Sequence, residues 1–231
     1  MANILLVGGS HGIGLAMREQ LLAADHQVWL ACRSPEPLPA HRNLTPIHWD
    51  ATQAPFPAEA LPAHLHGVAY CPGSITLKPF ARLTEADFLH DWQLNFLGAV
   101  RTLQAARPAL QAAGQAQVLL FSSVAAQTGL NFHASIAAAK AAIEGLTRAL
   151  AAEWAPAIRV NAIAPALIDT PLVAPLLNTD AKRHALAERN PLKQIGSAPA
   201  VAELACWLLT ATHHVATGQV FALDGGLSRL R

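Results

Sequence analysis

The stretch "HASIAAAKAAIEG", residues 133–145, sets one cation, Lys140, on a helix built largely of alanine. A lysine on the packed side of such a helix needs an acceptor, because an unpaired ammonium is costly to take out of water. Four residues earlier stands Ile136, which can neither give nor take a proton. On a helix over 133–153, His133, Ile136 and Lys140 fall close to one face. His133 is therefore a second group that can act as acid or base near neutral pH, about one turn before Ile136. The seven residues from His133 to Lys140 rise about 10 Å, too far for direct contact. The plainer reading of His133 is a residue at the helix start that faces solvent or a neighbouring subunit. Ser135 points about 100° away from Ile136 and is a weaker candidate.

A second chemical feature opens the chain. "ILLVGGSHGIGLAM" places Gly8, Gly12 and Gly14 between an apolar run and a helical pattern, in the spacing GxxxGxG. Gly8 permits a tight turn off a strand, Gly12 lets backbone approach a pyrophosphate, and Gly14 lets the helix pack closely on the sheet. The helix N-terminus adds free N–H donors and a positive dipole. Strand, turn and helix in this order point to a dinucleotide; a purely structural glycine turn is the alternative. The next β-type run ends in "WLACRS". A ribose 2′-hydroxyl usually meets a carboxylate at such a strand end, but Cys32 and Arg33 stand here. A guanidinium can clamp a 2′-phosphate with two charge-assisted bonds, and His11 offers a further donor. The expected cofactor is NADP(H), with NAD(H) possible; a solvated loop arginine is the bland alternative.

These groups need a frame. The chain has 231 residues, 52% hydrophobic and 13% charged, enough for a sizeable core and too apolar for disorder. A net charge of +1 gives no reason to expect nucleic acid or an anionic membrane as partner. Cys32, Cys71 and Cys206 are odd in number and form no CxxC, which suits a reducing cytoplasm. His64/His66 and His213/His214 lack a cluster of cysteines or carboxylates, so no metal site is expected. No basic segment precedes the first apolar run, and no apolar run approaches the roughly 20 residues of a membrane span. A soluble, cytoplasmic protein is the expectation.

Short β-type runs at 3–7, 27–31, 45–48, 67–70, 117–121, 158–161 and 219–222 alternate with helical patterns near 12–24, 84–112, 133–153, 172–190 and 199–211. That alternation predicts one α/β domain over 1–231, a Rossmann-type doubly wound parallel sheet of about seven strands. Thr84 followed by Asp87 reads as a helix N-cap with an acid in the first turn. "SPEPLPAHR", 34–42, reads as a shortened crossover loop.

Taken together, the motifs resemble the short-chain dehydrogenase/reductase family over nearly the whole chain. "VGGSHGIG" is similar to the family's glycine start, with Ser10, His11 and Ile13 among its cofactor contacts. "WDAT" resembles the adenine-contacting segment and implies roles for Asp50 and Ala51. "DWQLNFLGAV" puts Asn95 at the family's active-site asparagine, and "VLLFSSVAAQTG" puts Ser123 at its catalytic serine. "IRVNAIAPALIDTPL" resembles the segment that meets the nicotinamide, with Pro165, Ile168 and Thr170 at contacting positions, and "TGQVFALDGGLS" resembles the C-terminal strand and turn. The resemblance implies a ribose-clamping role for Lys140 and a phenol at position 136.

Three departures stand out. The NNAG motif appears as Tyr70-Cys71-Pro72-Gly73, keeping only Gly73; the PG pair is Pro165-Ala166; and the YxxxK pair is Ile136 with Lys140. Ile136 lies 13 residues after Ser123, the family's spacing, and Tyr70 is the chain's one tyrosine. The resemblance thus implies hydride exchange between NADP(H) and a ketone or secondary alcohol, with another proton source: His133, Lys140 or water. Reduction of a C=C or C=N bond, or cofactor binding without catalysis, remains open. It also implies a homodimer or homotetramer paired through helices 84–112 and 133–153. Residues 171–197 occupy the substrate-loop position, with Leu172, Leu176 and Leu177 as an apolar lid.

Overall fold

The structure, a computed structural model, describes residues 1–34, 38, 40–53, 55–211 and 215–230. Among these, seven strands form one parallel sheet in the order β3-β2-β1-β4-β5-β6-β9. They are β1 (Asn3–Val7), β2 (Gln27–Cys32), β3 (Leu44–His48), β4 (Gly67–Tyr70), β5 (Ala116–Phe121), β6 (Ile158–Pro165) and β9 (Val220–Leu223). β4 and β5 are buried at every residue, as expected of strands covered on both faces. β7 (Ile168–Asp169) and β8 (Gly196–Ser197) form a small separate pair.

One face of the sheet carries α1 (Gly12–Ala23) and α6 (Ala198–Thr210), packed on Ile4, Leu6, Leu30 and Leu119. The other carries α3 (Gly98–Ala112) and α4 (Ala134–Trp154), packed on Leu5, Val7, Val68 and Leu120. Alternate residues of each strand thus serve two cores, which is why the strand sequences read as unbroken apolar runs. Strand order reverses between β1 and β4, and the crevice at their carboxyl ends is where such sheets bind ligands.

Four expectations change. β6 runs to Pro165 rather than stopping at 161, because it continues to pair with β5 and β9 beyond that point. The pattern at 172–190 is not one helix. Pro171 and Pro175 confine 171–176 to a 3₁₀ turn, and α5 (Asp180–Glu188) restarts where the Thr179 hydroxyl caps the Lys182 N–H. The β7–β8 pair was not legible in two-residue runs. The fourth change is the long helix at 84–112. It starts as α2 (Glu85–Trp92), with the Thr84–Asp87 capping box in place, then widens into a π turn over Gln93–Leu97 before α3. The Leu94 carbonyl in that turn accepts the Tyr70 hydroxyl proton. Of the expected loop at 34–42, residues 35–37 and 39 lie outside the described residues, as do His213 and His214.

Gly98 makes the π turn possible: a Cβ there would run into the Tyr70 hydroxyl and lie 3.0 Å from the Ala51 carbonyl. Helix propensity alone favours alanine by about 1 kcal/mol. The collision outweighs it, since overpacking a filled core costs about 1–3 kcal/mol. Gly98→Ala is therefore expected to lower unfolding stability by up to about 2 kcal/mol, the overpacking cost less the propensity gain, measured by chemical denaturation, with Tyr70→Phe milder.

Candidate active site

A cavity of about 980 Å³ opens at the carboxyl ends of β1, β4, β5 and β6. Its first wall is the glycine turn. Gly8 (φ +80°) and Gly12 (φ +55°) occupy the left-handed region, and a Cβ on Gly14 would collide with the Gly8 carbonyl. His11, at the N-cap of α1, makes no capping bond, its ring lying 2.9 Å from Ser10 Oγ. No acid occupies the first turn of α1, so its leading N–H groups face the cavity uncompensated. Ser10, Ile13 and Gly14 line the same wall, and Gly12 packs against Thr170, a Cβ there falling 3.2 Å from the threonine methyl.

At the end of β2, Arg33 is exposed on the cavity wall. Asp50 sits off that wall, between Trp49 and Ala51, which do line it. Its Oδ1 accepts the Thr52 N–H (2.9 Å) and hydroxyl (2.8 Å); these bonds, helped by Arg33, hold the carboxyl below its ordinary value. The carboxylate thus closes a local turn through Oδ1, and no protein hydrogen bond to Oδ2 is formed among the described residues.

Lys140 lies across the cavity from the glycine turn. Its Nζ donates to the Phe121 carbonyl at 2.9 Å, and the residue is only 8% exposed. Burial pulls its ammonium down from 10.5 to about 8, against the opposing pull of Cys71 and Asp91. Gly73 fits between Lys140 and Asn95: a Cβ there would stand 3.2 Å from Asn95 Oδ1 and 3.8 Å from Lys140 Nζ. Pro165 and Ile168 line the wall beyond.

Ser123 follows β5 as the N-cap of a short 3₁₀ turn, its Oγ accepting the Ala125 N–H at 3.2 Å. The neighbouring Ser122 donates to buried Glu144 (2.8 Å), which also accepts both bonds of Gln127 Nε2. This network pins the β5 end to α4, one turn beyond Lys140. Ile136 lines the cavity and is 4% exposed. His133 precedes α4 as a half-buried N-cap on the cavity wall, its Nδ1 2.7 Å from the Asn131 carbonyl. Of the three leucines expected to cover a substrate, Leu172 and Leu176 line the cavity, whereas Leu177 is buried off its wall.

Asn95 shows what sequence reasoning missed. Its Nδ2 donates to the Asp91 carbonyl and to Ser74 Oγ, both at 2.9 Å, and its Oδ1 accepts the Ser74 N–H at 3.4 Å. Ser74 Oγ in turn donates to Asp91 Oδ1 at 2.6 Å. A lone acid one helical turn before Asn95, in an otherwise packed face, was the available signal. Ser122, Gln127 and Glu144 carried none, because their meeting depends on the register of α4 against β5.

The family profile described as Enoyl-(Acyl carrier protein) reductase matches residues 8–228. The chain belongs to the short-chain dehydrogenase/reductase family, a family of oxidoreductases. A tropinone reductase homolog of Arabidopsis thaliana is 36% identical over 157 residues, 68% of this chain and 60% of that relative's length. A tropinone reductase homolog of Datura stramonium is 29% identical over 96% of this chain and 90% of its own. A short-chain type dehydrogenase/reductase from Mycobacterium ulcerans superposes with a TM-score of 0.89 at 29% identity, covering 100% of this chain and 90% of that one. The TT0495 protein from Thermus thermophilus gives 0.88 at 32% identity, covering 97% of each chain. Within this dehydrogenase/reductase fold no helix among the described residues is long and apolar enough to cross a membrane, and no group of three His, Cys, Asp or Glu converges on a metal position.

A depressed ammonium has a consequence for stability. Because the folded value lies below the unfolded 10.5, the cost of burying the charge is present in full below about pH 8. It is relieved as pH rises from about 8 to 10.5, where the unfolded chain still holds the proton. Lys140→Met should therefore stabilise the ligand-free protein at pH 7 by up to about 3 kcal/mol, an advantage that shrinks towards pH 10. Thermal melts of both proteins across this range check the sign.

Proposed function

We propose that the protein is an NADP(H)-dependent oxidoreductase, acting on a small or hydrophobic ketone or secondary alcohol, in which the proton does not come from residue 136. One observation carries this reading: Lys140 is buried with its ammonium at the cavity wall, between the glycine turn and the β5 end that presents Ser123. A buried cation beside a dinucleotide-type cradle is unfavourable without a ligand to accept from it.

The residues present suit the cofactor. The leading N–H groups of α1, free of any acid, suit a pyrophosphate, and the glycines of the turn leave no Cβ in the way of a close approach. Arg33 is exposed on the wall and makes no ion pair with a carboxylate among the described residues, which suits a 2′-phosphate better than a bare ribose. When bound, the cofactor supplies a hydride donor or acceptor. Lys140 would hold its ribose, Pro165, Ile168 and Thr170 would border its nicotinamide end, and Ser123 would hold the substrate oxygen. Asn95, fixed by Asp91 and Ser74, orders the wall between them.

Ile136 stands where the family resemblance implies a phenol, so the direct donor is absent. General acid–base groups typically contribute about 10²–10⁴-fold, so turnover needs another route for the proton. Reduction of a C=C or C=N bond is a second reading, favoured by the enoyl reductase description of the matching profile. The reading further includes a single domain and self-association through α2–α4. Leu89 and Trp92 on α2 are 50% and 37% exposed, apolar surface such an interface would cover.

Oxidation of NADPH across a panel of ketones, enones and imines, and reduction of NADP⁺ by secondary alcohols, tests the assignment. Turnover with at least one carbonyl or alcohol pair is expected. Tight NADPH binding with no turnover anywhere would make the protein a cofactor-binding module instead. Arg33→Asp should weaken NADPH binding at least about tenfold more than NADH binding, by fluorescence titration, as loss of a charge-assisted phosphate clamp implies; equal losses remove the basis for NADP(H).

A further inference from the structure

Asp91 has no exposed surface, yet it makes no ion pair among the described residues. Three hydroxyls satisfy it instead. Ser74 (2.6 Å) and Thr76 (3.2 Å) donate to Oδ1, and Ser135 donates to Oδ2 at 2.7 Å. Ser135 is the residue next to Ile136, so the helical turn that carries the isoleucine also serves this carboxylate. Burying an acid merely to tie two segments together gains little, since apolar packing does as well or better. Its place in the fold points elsewhere.

Ser74 is the link to the cavity, whose wall it shares with Asn95, Ser123, Ile136 and Lys140. The direction of its bonds is fixed. Asn95 Nδ2 can only donate, so Ser74 Oγ accepts from it at 2.9 Å. The single Ser74 proton goes to Asp91 Oδ1. One lone pair of Ser74 is left, and it can only accept. A ligand hydroxyl placed there donates its proton into a chain that ends on a carboxylate. A ketone oxygen finds no donor in Ser74 until the chain reverses.

We propose that Ser74 and Asp91 form the proton relay of this enzyme, Asp91 taking up the alcohol proton through Ser74 in place of the phenol that Ile136 excludes. The proposal rests on the oxidoreductase reading above. In the oxidation direction, the carbinol C–H pair leaves as hydride to NADP⁺ and the C=O bond forms. The alcohol O–H breaks and its proton bonds to Ser74 Oγ. The Ser74 proton passes to Asp91 Oδ1, leaving a neutral carboxylic acid. Ketone reduction runs the same steps backwards and consumes NADPH.

Asp91→Asn keeps the size and the Oδ1 acceptor but cannot take a proton, and Ser74→Ala cuts the link while Ser135 and Thr76 still hold Asp91. With a secondary alcohol that the wild type oxidises, both variants should lose about 10²–10⁴-fold in kcat with little change in KM or NADP(H) affinity. A tether alone predicts loss of folding stability and scattered changes in KM. Rescue separates the two further: D91N/I136Y should regain much of the lost kcat, because a phenol at 136 supplies the missing acid, whereas a broken tether would not recover. Infrared difference spectra between the NADP⁺–alcohol and NADPH–ketone mixtures should show an un-ionised carboxyl band that is absent in Asp91→Asn. Variants within about threefold of wild type, far short of a general acid–base contribution, or spectra with no such band, overturn the relay. A wild type that turns over nothing in the panel sinks the oxidoreductase reading itself, and with it the relay.

Discussion

The structure is organised around a cation that has been taken out of water. Lys140 Nζ has the Phe121 carbonyl as its protein acceptor, at the last residue of the central strand β5. An ammonium in that position constrains everything near it. β5 must stop where its carbonyl can receive the proton, α4 must lie with this turn against the sheet, and Gly73 must lack a side chain so that Asn95 and Lys140 share one wall. The Ser122–Glu144–Gln127 network enforces the same register from the other side. A cation held under such a desolvation penalty is poised to trade part of its burial for a ligand, and the cavity beside it supplies the room.

The helix opposite is deformed for a related reason. A regular helix through 93–97 would carry on the α2 periodicity and swing Asn95 off its position. The π turn re-aims it, Tyr70 stabilises the turn by donating to the Leu94 carbonyl, and Gly98 leaves space for the phenol ring. Burial pushes the Tyr70 hydroxyl far above its ordinary value, so this tyrosine is a structural donor and no proton source. The chain's one phenol is committed to positioning Asn95.

Much of this was legible in the sequence. Unbroken apolar runs separated by 3.6-period patterns pointed to a parallel sheet, and the glycine spacing located one wall of the cavity. The features that escaped share a physical character. β7 and β8 are two residues each, too short for any periodicity, and the split at 172–190 hinged on two prolines inside an otherwise helical composition. The π turn adds one residue to a turn without changing composition. Ser74 and Ser135 lie 17 and 44 residues from Asp91 along the chain; Ser135 meets it because α2 packs across α4, and Ser74 because the loop after β4 passes α2. Motif matching assigns roles to positions, and here it left position 136 without one while saying nothing about the acid one turn away in space.

Ile136 then reads differently from a simple loss. Ser135, its neighbour on α4, donates to Asp91, so the turn that carries the isoleucine also carries a partner of the buried carboxylate. An isoleucine only 4% exposed brings no polar group to that turn, and where water is excluded each hydrogen bond is electrostatically stronger. The apolar residue and the buried carboxylate therefore belong to one arrangement. Under the proposed relay, an apolar residue at 136 is tolerable because Asp91 stands one hydroxyl, that of Ser74, from the cavity.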